Sequence, residues 1–242
     1  MEELRLNNKL RAALSDFVLN LGKILNETLV SVILYGSAAS GEFTDEHSNL
    51  NLLVVLKNSG LENLRAVSGL INQRRFRLIH PLILSEEYIQ NSTDVFPIEF
   101  LDLKENYLVL AGRDVLKGIS VDTKNLRFQC EHELKSKLIG LRQFYLRNNR
   151  QRLALLNFLL KSFTSTLHIL RNVMRLKGKE AHYLKEDILK DISAEFKIDK
   201  DAWGKLAAVK NKRLKLNKNQ IDELFVDFAH DLEKIVGIID KL

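Results

Sequence analysis

The spacing of apolar residues changes once along this chain. In the first half, Leu4, Leu10, Leu14, Phe17, Leu21 and Ile24 share one stripe and predict an amphipathic helix over residues 3–26. The run Leu29–Tyr35 (LVSVILY) is rich in β-branched residues and stops at Gly36, which predicts a buried strand. Residues 49–56 (NLNLLVVL) alternate and then turn wholly apolar, predicting a second strand. A helix over 61–74, a third strand over 77–84 and a short helix near 85–91 follow. The alternating segment 98–103, read as a half-buried strand, and the run 107–110 complete a mixed α/β unit.

After residue 120 the period is helical throughout. Helices are predicted near 123–148, 151–176, 183–196, 201–212 and 217–241. Leu153, Leu156, Leu160, Phe163, Leu167, Leu170 and Met174 form one stripe, and Ile221, Leu224, Phe225, Phe228, Leu232, Ile235 and Ile239 another. Such stripes are core, so the second half reads as an all-α helical bundle. The expected organisation is two domains, 1–119 and 120–242, meeting at Gly118 and the polar stretch that follows.

Charge sharpens that division. Residues 1–119 carry 12 Lys+Arg against 15 Asp+Glu, a net of −3, whereas residues 120–242 carry 25 against 16, a net of +9. Basic clusters at 142–152, 171–179 and 210–218 make contact with an anion or a nucleic acid an expectation for the C-terminal half. Interspersed acidic residues make a solvated helix face the plainer reading. Cys130 is the only cysteine, which excludes an internal disulfide or a cysteine-based zinc site. The charged start and the shortness of the uninterrupted apolar runs argue against a secretory signal or a membrane span, and a cytoplasmic location is expected.

The chemistry lies in LYGSAASGEFTDEHSNLNLLVV, residues 34–55. It runs strand, Gly36-Ser37 turn, short helix, loop, strand. Gly36 lets backbone approach a ligand closely, and Ser37 opens a helical turn whose free N–H groups suit phosphate. Asn49 and Asn51, one residue apart on a strand, share a face.

This segment resembles the signature of the DNA polymerase beta-like nucleotidyltransferase superfamily, of the kanamycin nucleotidyltransferase and minimal nucleotidyltransferase type. The resemblance covers about residues 1–119, and a helical bundle behind such a core is common among those relatives. It implies a nucleotidyltransferase-like α/β domain, an NTP such as ATP bound at Gly36, Ser37 and Ser48, and Mg²⁺ held by two aspartates and a third carboxylate from a later strand. In this chain Ser-Asp-x-Asp has become Ser48-Asn49-Leu50-Asn51. Glu99, in PIEFLDL, is the expected remaining carboxylate. Asp102 falls on the opposite strand face, and Asp45 and Glu46 lie in the preceding loop.

An amide oxygen can coordinate Mg²⁺ but brings no charge to hold it beside a triphosphate. Losing roughly 4–8 kcal/mol of metal stabilisation slows transfer about 10³- to 10⁶-fold. The expectation is a pseudoenzyme that binds a nucleotide, a nucleic acid or a protein partner, a second copy of itself included. The alternative is an active enzyme transferring NMP to a small molecule or protein, with Glu99 in a reduced metal site.

Overall fold

A computed structural model describes residues 6–40, 49–179, 182 and 185–242. The chain divides into two compact units, Met1–Val121 and Asp122–Leu242.

The first unit opens with α1 (Asn8–Leu25), whose N-cap Asn7 accepts a hydrogen bond from the Leu10 N–H. Then come β1 (Leu29–Tyr35), α2 (Ser37–Ser40), β2 (Leu50–Leu56), α3 (Leu61–Ile71), β3 (Ile79–Ser85), α4 (Glu86–Asn91), α5 (Pro97–Glu105) and β4 (Tyr107–Gly112). The four strands form one sheet in the order β3-β2-β1-β4. β1 runs antiparallel to both β2 and β4, while β2 and β3 are parallel.

Strand alternation sorts the core into two faces. Leu50, Leu52, Val54 and Leu56 of β2 pack with Leu14, Phe17 and Leu21 of α1 and Val67 and Leu70 of α3. Leu53 and Val55 turn the other way, onto Ile33, Ile89 of α4, Phe100 and Leu103 of α5, and Leu116. Because both faces of β2 are covered, its sequence is almost continuously apolar. β3 is an edge strand. Leu50 N–H donates to the Leu78 carbonyl, so residue 78 and its even-numbered successors bond to β2 while Pro81 points its missing donor outward.

The segment 98–103 corrects the sequence expectation. It belongs to helix α5, entered through Pro97 at the first turn, and not to a strand. Pro97, Ile98, Phe100 and Leu103 are buried, and this spacing lets one helical face cover the sheet. Six residues of near-alternation do not separate the two periods; packing against the sheet decides for the helix, and Pro97 fits its first turn.

The second unit consists of α6 (Thr123–Asn148), α7 (Arg152–Leu176), α8 (Lys185–Phe196), α9 (Lys200–Lys210) and α10 (Lys218–Ile239), with no strand among its described residues. Asp122 caps α6 and Asn217 closes a capping box with Gln220 at the start of α10. Phe163, Trp203 and Phe228 meet in the core with ring centroids 5.0–6.5 Å apart. Trp203 is fully buried, and its indole N–H donates to Asp231 at 3.0 Å. α7 is long and apolar enough to cross a membrane by length and composition, but Leu155, Leu159, Phe163, Leu167, Leu170 and Met174 are buried inside the helical unit.

Candidate functional site

β1 ends at Tyr35, and Gly36 takes a left-handed turn (φ +74°) out of the sheet. Its N–H donates to the Asn106 carbonyl at 3.2 Å, and its own carbonyl accepts from Ala39 and Ser40 at 2.9 and 3.0 Å. These bonds set α2 across the end of the sheet. A Cβ on Gly36 would lie 3.5 Å from Asn51 Nδ2, an ordinary contact, so the glycine is required by φ and not by crowding.

Asn49 is exposed just before β2 and Asn51 is half-buried within it. The sheet register then defines the site. Tyr107 of β4 pairs with Tyr35 of β1, Tyr35 with Asn51 of β2, and Asn51 with His80 of β3. Residues paired across neighbouring strands share a face. Tyr107, Tyr35, Asn51 and His80 therefore form one row across all four strands, on the face that carries α4 and α5 further down, with Gly36 beside Asn51.

The structure thus brings together Gly36, Ser37, Asn49 and Asn51 at one sheet end. Ser48, Gly41, Asp45 and Glu46 lie outside the described residues. Glu99 is exposed on α5, one position from the buried Ile98 and Phe100, so the expected third-strand carboxylate does not come from a strand. The residue that the third strand does place opposite Asn51 is His80. Sequence reasoning missed it, although the signal existed: within 77–84, His80 is the polar position of a run already read as the third strand.

Two phenols line the row. Burial pushes the Tyr35 phenol up from its ordinary value. Tyr107 is pushed up by burial and then by its hydrogen bond to the Asp114 carboxylate, 2.9 Å away. Among the described residues there is no group of three or more His, Cys, Asp or Glu able to hold a metal ion. Two amides and an imidazole supply no anionic ligand, where the implied metal needs several. This donor set does not fit a Mg²⁺–triphosphate centre.

Other charged regions bear on the site less directly. A cleft of about 910 Å³ is lined by Lys9, Asp16, Arg74, Arg75 and Arg77, but it opens against α1, away from the Asn51 face. There Arg75 pairs with Asp16 and stands 4.4 Å over the Phe76 ring. In the second unit, Arg142 pairs with Glu233, Arg152 with Asp222, and Lys177 and Lys179 with Glu195. These four cations of the basic clusters make ion pairs within that unit.

No family model matches the chain, and no curated protein matches its sequence. A solved structure does share its fold: the crystal structure of spectinomycin adenyltransferase AAD(9) from Enterococcus faecialis with ATP and spectinomycin. The likeness has a TM-score of 0.54 at 10% identity, over 90% of this chain and 98% of that chain. The shared fold is a mixed-sheet α/β domain followed by a helical domain.

Proposed function

We propose that the chain is a nucleotide-binding protein built on the nucleotidyltransferase fold, in which nucleotidyl transfer is weak or lost. The observation that carries this reading is the row itself. The positions that would display metal-binding aspartates are Asn49 and Asn51, and they stand beside the turn at Gly36 and Ser37. AAD(9) holds ATP in its structure, which supports an adenine nucleotide as the ligand to try first.

The test is calorimetric titration of Mn²⁺ and of ATP into the protein and into N49D/N51D, with a parallel assay for transfer of label from ATP. The unmodified protein is expected to bind ATP and transfer nothing above background. The double variant should bind Mn²⁺ more tightly, because two carboxylates replace two amides. Transfer by the unmodified protein at ordinary rates, about 1–10³ s⁻¹, would overturn the reading. A second reading, an active transferase with a small-molecule acceptor, draws on the coverage of nearly the whole AAD(9) chain in a structure that also holds spectinomycin. Glu99→Gln is then the first variant to assay, with Asp45 and Glu46 next.

A further inference from the structure

We infer that the row at the sheet end binds the phosphates of its nucleotide directly, through the N–H donors of Asn49, Asn51 and His80, without a divalent metal. This rests on the nucleotide reading above and goes beyond it by reversing the electrostatic role of the site.

Three observations carry it. The first is placement: β2 and β3 are parallel with Asn51 opposite His80, and neighbouring strands run about 4.8 Å apart. The two side chains stand close enough to grip one phosphoryl group. Asn49 immediately precedes β2, two residues from Asn51, and is exposed.

The second is donor chemistry. Each Asn amide offers two N–H donors, and a histidine ring offers at least one whichever nitrogen carries the proton. A site of three carboxylates accepts hydrogen bonds and repels a triphosphate, so a metal must bridge the two. A site of two amides and an imidazole donates to phosphate oxygens and gives a metal no anionic anchor. Bound Mg²⁺ would only mask the oxygens that these donors address.

The third is the disposition of neighbouring charge. At the far side of the row, Asp114 meets Tyr107, two strands from Asn51. Its Oδ1 accepts from the Leu116 and Lys117 N–H groups at 3.0 Å, and its Oδ2 accepts from the Tyr107 hydroxyl. It is committed to its own turn. On the opposite side, Arg77 and His80 both line a groove of about 320 Å³ at the outer edge of β3.

The experiment is titration of ATP, inorganic tripolyphosphate and adenosine into the intact protein, in EDTA and in millimolar Mg²⁺. ATP is expected to bind in EDTA at least as tightly as in Mg²⁺, with tripolyphosphate competing and adenosine failing to compete. His80→Glu removes a donor and sets a negative charge toward the phosphates, so it should weaken ATP binding in EDTA about tenfold or more. His80→Gln, which keeps a donor, should retain most of it. His80 is exposed, so both variants should fold, and circular dichroism checks this. The triple variant N49D/N51D/H80E should bind ATP only when Mg²⁺ or Mn²⁺ is present.

Binding of Mg²⁺–ATP that vanishes in EDTA would overturn this inference and leave the nucleotide reading standing. So would binding in EDTA that His80→Glu leaves untouched, or competition by adenosine alone. Failure to bind ATP in either buffer would overturn both.

Discussion

The two ends of β1 each adjoin a glycine with positive φ, and the glycines serve opposite purposes. Near the start of the strand, Ser31 pairs with Gly112 (φ +78°), where a Cβ would stand 2.1 Å from the Val30 carbonyl oxygen. Backbone groups there are consumed by the sheet: Arg113 N–H donates to Val30, Lys57 N–H to Thr28, and the Ser31 hydroxyl to Ala111. At the far end, Gly36 has ordinary space around it and turns the chain away from the polar row of Tyr107, Tyr35, Asn51 and His80. One end is fixed by sterics, and its polar groups are absorbed in structure. The other carries Asn51 and His80 beside two phenols, Tyr35 and Tyr107, that pack against the core.

Gly112→Ala should break the closed end most severely. It combines a backbone clash with a left-handed φ, and a loss of about 3–5 kcal/mol in denaturant unfolding is expected. Gly36→Ala carries only the φ penalty, so about 1–2 kcal/mol is expected in the same measurement. Equal costs at the two glycines would erase the distinction between the ends. The N49D/N51D change at the open end should alter stability by no more than about 1 kcal/mol, while its divalent-metal affinity rises. A large destabilisation would mean that the two amides hold the sheet together after all.

The smallest effect concerns the two phenols of the row. Both are raised above the ordinary tyrosine value of 10.0. The folded chain therefore keeps these protons to higher pH than the unfolded chain does. Their contribution to stability is whole below pH 10.0 and is lost as pH rises through the folded values. Tyr107→Phe should flatten this alkaline decline, as read from unfolding midpoints in a series of alkaline buffers. An unchanged slope would count against the Tyr107–Asp114 contact.

Local pattern determined a good deal of this protein. The hydrophobic period located β1, β2 and the long helices α6, α7 and α10 to within a residue or two, because a 2.0 or 3.6 period sustained over a whole element has few alternative readings. The Gly36-Ser37 turn was legible for the same reason: it depends on neighbours in the chain. Two matters were decided only by tertiary structure. PIEFLDL alternates like a strand over too few residues to exclude a helix, and burial of Pro97, Ile98, Phe100 and Leu103 against the sheet settled it. The partner of Asn51 depends on strand order and register, which join residues 51 and 80 across an intervening helix. No local period encodes that pairing, so His80 was not legible as the neighbour of Asn51.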